Sequence, residues 1–146
     1  MATKENAATD TGVRAEPQKL RLRALSVSLT ANDFPKTLAF YRDIMGFHVE
    51  RNYERDGKVF GASLVAGEVR ISLNQDDWQK GKDRAKGQGM RLYLQTGQDV
   101  DEVAARIKQA GGKVEDGPSD KPWGVRSFSI TDPDGFGLTV SKPLNE

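Results

Sequence analysis

The chain repeats itself. Shifted by 65 positions, residues 25–50 fall on residues 90–115 without a gap. Leu25, Val27 and Leu29 land on Met90, Leu92 and Leu94. Leu38 and Ala39 land on Val103 and Ala104, and Gly46, Val49 and Glu50 land on Gly111, Val114 and Glu115. Each unit reads as a strand, a helix, a glycine turn and another strand. One unit is too small to bury its own apolar face, so the two are expected to pack together. A cleft between or within the halves is then the natural place for a ligand.

The first half runs as follows. Leu25, Val27 and Leu29 alternate with Ala24, Ser26, Ser28 and Thr30, which predicts a half-buried strand over 22–30. Asn32 and Asp33 offer capping oxygens and Pro35 suits a first helical turn. Leu38, Tyr41 and Met45 follow at helical spacing, and Gly46 stops the helix. Strands are expected at 47–53, 58–65 and 68–74, separated by Asp56-Gly57 and Ala66-Gly67 turns. The polar segment 75–88 reads as a linker.

The second half repeats the order over about 89–141. Met90 to Thr96 predicts a strand. Asp99 and Asp101 open a helix carrying Val100, Val103, Ala104, Ile107 and Ala110 on one face, ended by Gly111-Gly112. Strands are expected at 112–115, 125–131 and 136–141, the last two joined by the turn Asp132-Pro133-Asp134-Gly135. The expected class is α+β: two βαβββ repeats, about 22–74 and 89–141, in a single domain over 20–143.

Composition excludes several chemistries. The chain of 146 residues has no cysteine, which removes disulfides, thiolate nucleophiles and thiolate metal sites. Its one histidine cannot make a His-rich metal site. The net charge of +1 calls for neither nucleic acid nor an anionic membrane. No apolar run approaches the roughly 18–20 residues that span a bilayer. Residues 1–19 are polar and lack an apolar signal core, so they read as a disordered tail on a cytoplasmic protein.

Two stretches carry a family resemblance. Phe40-Tyr41-Arg42-Asp43-Ile44-Met45-Gly46-Phe47 resembles the helix end of the vicinal oxygen chelate superfamily, and Asp132-Pro133-Asp134-Gly135-Phe136 resembles its turn before the last strand. That superfamily includes glyoxalase I, bleomycin-resistance proteins and extradiol dioxygenases. The resemblance covers about residues 21–143 and implies cupped mixed sheets, with helices outside and the ligand on the concave face.

Catalytic members of the superfamily bind a divalent metal through four side chains on that face. The resemblance carries these positions to Ser26, Ser72, Arg91 and Thr139. Catalytic members typically have His, Glu or Gln there. Neutral hydroxyls are poor ligands for a hard cation, and a guanidinium stays protonated. Arg91 would repel a metal by several kcal/mol at about 4 Å for an effective dielectric near 20. No metal and no cofactor is therefore expected.

Strand alternation names the same face independently. Ser26 and Ser28, Arg70, Ser72 and Asn74, Arg91 and Tyr93, and Thr139 and Ser141 oppose the apolar faces of their strands. Arg91 has two readings: a solvated strand residue at an open cleft, or an anion receptor whose fork matches a carboxylate. Tyr93 reads as cup wall, with a hydroxyl able to orient a ligand. Trp123, in Lys121-Pro122-Trp123-Gly124, reads equally as an aromatic clamp or a packing residue, and the resemblance places this stretch near the cleft. Phe60 and Phe128 read as core. Trp78 reads as cover for a cleft edge or a subunit partner, and His48 as a surface residue. Asp76-Asp77 and Asp99/Asp101 read as loop and cap charges.

Together these readings predict a metal-independent small-molecule binding protein of the bleomycin-resistance type, contacting its ligand through Ser26, Ser28, Arg70, Ser72, Asn74, Arg91, Tyr93, Trp123 and Thr139. Such relatives are homodimers with clefts at the subunit interface. A groove carrying Arg70 and Arg91 suits a neutral or anionic ligand, possibly aromatic, rather than a cationic glycopeptide. The alternative is an enzyme of the same superfamily (a lyase, isomerase or dioxygenase-like protein) with a non-standard metal set, or metal-free with Arg91 as electrophile and Tyr93 as acid. Against it, no nucleophile–base pair is visible and the lone His is badly placed for one.

Overall fold

A computed structural model describes residues 17–82 and 84–146. Most of the tail expected over residues 1–19, namely 1–16, lies outside the described residues. The first half contains β1 (Val27–Ala31), α1 (Phe34–Ala39), a π-helical turn (Phe40–Met45), β2 (His48–Arg55), β3 (Lys58–Ala66) and β4 (Val69–Gln75). The second contains β5 (Arg91–Gln95), α2 (Val100–Gln109), β6 (Glu115–Asp120), β7 (Val125–Thr131) and β8 (Gly137–Pro143).

The repeat in the sequence is a repeat in the topology. One sheet has the order β1-β4-β3-β2 and the other β5-β8-β7-β6. In each, the first strand pairs parallel with the last, and the remaining pairs are antiparallel. Local chemistry sets the ends of the helices. Asp33 caps α1 by accepting from the Lys36 N–H, and Gly46 closes the π turn at φ 100°. Asp99 caps α2 by accepting from the N–H groups of Asp101 and Glu102.

Leu29, Leu64, Ile71 and Leu73 of the first sheet are buried, as are Phe128, Ile130, Leu138 and Val140 of the second. They form one core with Phe40, Tyr41, Met45, Ala104 and Ile107 from the helices. Phe128 is core as expected, whereas Phe60 is only half-buried, with the Arg55 guanidinium 4.6 Å from its ring.

Several expectations need correction. The strand expected over 22–30 starts only at Val27, and Leu25 is 96 % exposed. The reason is register: β1 pairs only with β4, and Val27 already faces Ile71, two residues from where β4 begins. Met90 is likewise exposed, one residue ahead of β5. The strand expected at 112–115 instead occupies Glu115–Asp120, with an irregularity between Glu115 and Ser119 where Asp116 and Gly117 take positive φ. Among the described residues, no helix is long and apolar enough to cross a membrane.

In the segment between the halves, Asp76, Lys86 and Gly87 are held by the rest of the fold. Asp76, read as a loop charge, is buried instead, with Lys86 Nζ 2.9 Å from its Oδ2. Lys86 also donates to Asn32 Oδ1 and lies 5.3 Å from the Trp78 ring centroid. Trp78 thus lies over this ion pair. A Cβ on Gly87 would overlap the backbone of Gly135 and Phe136, so the segment lies directly against the Asp132–Gly135 turn.

The Lys86 ammonium paired with it, followed by the hydrogen bond from the Trp78 N–H, holds the Asp76 carboxyl below the ordinary carboxylate range. A carboxyl whose folded pKa is depressed stabilises fully above its unfolded value, near 3.8, and loses that contribution as pH falls through the folded value. Asp76→Asn is therefore expected to flatten the loss of stability below about pH 4, measured by urea unfolding across an acid series.

Candidate functional site

The halves meet on their helix sides. Tyr41 Oη donates to Asp132 Oδ2 at 2.7 Å, and Asp134 accepts from the Asn32 N–H and the Thr37 hydroxyl at 2.8 and 2.7 Å. Arg106 Nη2 donates to Met45 O at 2.8 Å. Burial, with the Asp132 carboxylate beside it, pushes the Tyr41 phenol far above its ordinary range. Burial also raises the Asp132 carboxyl, against the donors from Tyr41, Phe136 and Asp134 that favour its charged form.

The polar face of the second sheet forms a cup with a cavity of about 570 Å³, within the range of ligand sites. Among the described residues, only second-half residues line it. Arg91, first in β5, is joined through Nη1 to Thr139 Oγ1 of β8 at 3.0 Å, and Thr139 Oγ1 lies 3.3 Å from Ser129 Oγ of β7. Gly137 sits beneath the guanidinium; a Cβ there would lie 2.8 Å from Arg91 Cζ. The missing side chain is what lets Arg91 lie against the backbone.

Tyr93 and Trp123 line the same cavity and are 74 % and 72 % exposed. Trp123 sits in the β6–β7 turn, closed by the Gly124 N–H bond to Lys121 O. At the rim Lys121 Nζ is 3.1 Å from Asp116 Oδ1, so that pair neutralises itself. Arg91 has no carboxylate partner among the described residues and is the open charge of the cup.

Thus Arg91, Tyr93, Trp123 and Thr139 come together. Ser26, Ser28, Arg70, Ser72 and Asn74 do not join them: they belong to the first half, and none lines this cavity. Ser28 accepts from Asn74 Nδ2 at 2.7 Å, Ser72 faces Ser28 across the ladder, and Ser26 precedes β1 as an exposed residue. Arg70 was expected to offer a charge to a ligand. It is instead held by both oxygens of Glu50, at 2.9 and 3.0 Å. The Arg70 hydrogen bond keeps the Glu50 carboxyl below its ordinary range, and Ser63 Oγ adds a weaker contact.

Glu50 is not among the residues that strand alternation names, because it sits at an irregularity in the β2–β3 register, between Val49 and Arg51. Ser127, Ser129 and Lys121 are likewise outside the predicted set, although the alternation Ser127-Phe128-Ser129-Ile130 carries the same signal as the strands behind that set. His48 is an exposed residue at the start of β2. A separate groove of about 520 Å³ lies where the halves join, beside Arg106, and contains none of the predicted ligand residues.

The metal positions implied by the resemblance do not suit a cation. Arg91 and Thr139 are bonded to each other, which puts a fixed positive charge against the fourth position. Among the described residues, no group of three or more His, Cys, Asp or Glu could hold a metal.

The sequence profile described as Glyoxalase/Bleomycin resistance protein/Dioxygenase superfamily matches residues 23–140. The chain is 28 % identical over 121 residues to the Virulence protein STM3117 of Salmonella typhimurium, covering 78 % of this chain and 79 % of that one. The crystal structure of TnmS3, an antibiotic binding protein from Streptomyces sp. CB03234, is similar at 27 % identity and a TM-score of 0.65, over 85 % of this chain and 98 % of that one. TioX from Micromonospora sp. ML1 shares the fold at 22 % identity and a TM-score of 0.68, over 84 % of this chain and 99 % of its own.

Proposed function

This chain belongs to the glyoxalase/bleomycin resistance protein/dioxygenase superfamily, and we propose that within it the chain is a metal-independent small-molecule binding protein. Its ligand, neutral or anionic and with aromatic character, sits in the cup of the second half. The observation that carries this reading is Arg91: an unpaired guanidinium, oriented by Thr139 over Gly137, where a catalytic relative would hold its metal. A guanidinium fixed at one nitrogen still presents donors to a carboxylate. Trp123 and Tyr93 supply exposed aromatic faces beside it. Binding rather than catalysis is supported by the TnmS3 relative, described as an antibiotic binding protein.

Metal content tests the first part. Protein purified without chelator should hold well under one equivalent of Ni, Zn, Fe or Mn by plasma mass spectrometry. A stoichiometric metal that disappears in Thr139→Ala or Ser72→Ala would refute metal independence.

We propose further that the functional form is a homodimer. The cup is open on one side, and β1 and β5 each leave one strand edge without a neighbour in their sheets. A second copy would cover the opening and the edges by a two-fold axis. Sedimentation equilibrium is expected to give twice the chain mass of 16.1 kDa at micromolar concentration. A monomer under those conditions would contradict an interfacial cleft.

A further inference from the structure

The floor of the second cup is paved with hydroxyls. Ser129 faces Thr139 across the β7–β8 ladder, and Ser127 faces Ser141 two residues along. All four line the cavity. Thr139 and Ser129 bond each other, and Thr139 accepts from Arg91. The Ser127 and Ser141 hydroxyls form no hydrogen bond among the described residues; Ser141 is half-buried, and Ser127, only 2 % exposed, lies at the bottom of the cavity lining. Each can both donate and accept.

Resting on the reading that this cup binds a small acid, we infer that the ligand is a six-membered ring bearing several hydroxyls besides its carboxylate. A bare apolar ring would cover Ser127 and Ser141 and leave both without partners, which lowers its affinity relative to a ring that bonds them. A ring with hydroxyls replaces that water with direct bonds. The geometry suits such a ring. Neighbouring strands lie about 4.8 Å apart, comparable to the spacing of substituents two positions apart on a six-membered ring. The acid goes to Arg91, the hydroxyl edge meets the serine floor, and a ring face lies against Trp123. Two kinds of molecule have this chemistry, hydroxylated aromatic acids and sugar acids, and Trp123 stacks on either.

Titration calorimetry on the full chain with two matched pairs tests this. The first pair is benzoate and 3,4,5-trihydroxybenzoate, and the second is cyclohexanecarboxylate and D-glucuronate. In at least one pair the hydroxylated acid should bind about tenfold or more tightly than its partner, as two added hydrogen bonds require. Whichever pair responds identifies the source. In Ser127→Ala/Ser141→Ala that advantage should fall below about threefold, with the plain acid binding more tightly than it does to the parent because the hydroxyls it leaves unpartnered are gone. Ser141→Ala alone, at a half-buried position, should give a partial loss if the double variant folds poorly. Plain acids that bind as tightly as hydroxylated ones in both pairs would overturn the hydroxylated ligand and leave the acid-binding cup standing. Failure of all four acids to bind would overturn both.

Discussion

Replacing Arg91 by alanine is expected to weaken binding of aromatic carboxylates about 10- to 100-fold while leaving the fold unharmed. Hydrogen bonds to charged groups are worth roughly 1.5–3 kcal/mol, and a two-point fork in a partly desolvated cup belongs in that range rather than with exposed ion pairs. The free protein should lose little, because Arg91 is exposed and its described side-chain bond is to Thr139. Arg91→Lys keeps the charge but loses the fork and should fall between. Calorimetric titration with benzoate gives the affinities, and thermal unfolding without ligand gives the control. Trp123→Ala should cost less, since it removes a stacking face and not the charge. An Arg91→Ala protein that binds benzoate as the parent does would remove Arg91 from the site.

The largest effect on stability is expected at the junction of the halves. Asp132 is 4 % exposed and accepts from the Tyr41 hydroxyl and from the backbone N–H groups of Asp134 and Phe136. Asp132→Ala orphans these donors together, at about 1–3 kcal/mol for each one left buried, so a loss of about 3 kcal/mol or more is expected. Asp132→Asn keeps an oxygen for the two N–H groups, and the phenol can turn to meet the new amide; about 1 kcal/mol is expected. Tyr41→Phe leaves one carboxylate oxygen without its donor and should lie between the two. Urea unfolding of the three variants gives the order directly, and equal losses for Asp132→Ala and Asp132→Asn would contradict it.

The architecture was legible because it is written in local and periodic signals. Alternation in Val27–Thr30 and Met90–Gln95, the caps Asp33 and Asp99, and the glycines 46, 111 and 135 each act within a few residues. The 65-residue repeat then paired the two sheets. The polar face that lines the cup was legible for the same reason: a strand buried on one side must show its other side.

What could not be read was partnership at long range. Glu50 lies on a strand with an irregular register, and its hold on Arg70 depends on which residues β3 places between them. Asp76 and Lys86 flank a stretch with no periodicity, so nothing in the spacing indicates that they meet. That the first-half polar residues stay out of the cup is likewise a matter of how the halves dock. The Tyr41–Asp132 bond that helps fix this joins residues 91 apart.

At Arg91 the expected ligand is an anion and not a metal. The most direct test is a thermal-shift panel of matched aromatic acids, amides and amines, run with the protein in excess chelator. The acids are expected to raise the melting temperature with a concentration dependence set by mass action, and the amides and amines of the same rings to do so weakly or not at all. Stabilisation by the amines but not the acids, or stabilisation by any of them only after a divalent metal is restored, would contradict this expectation.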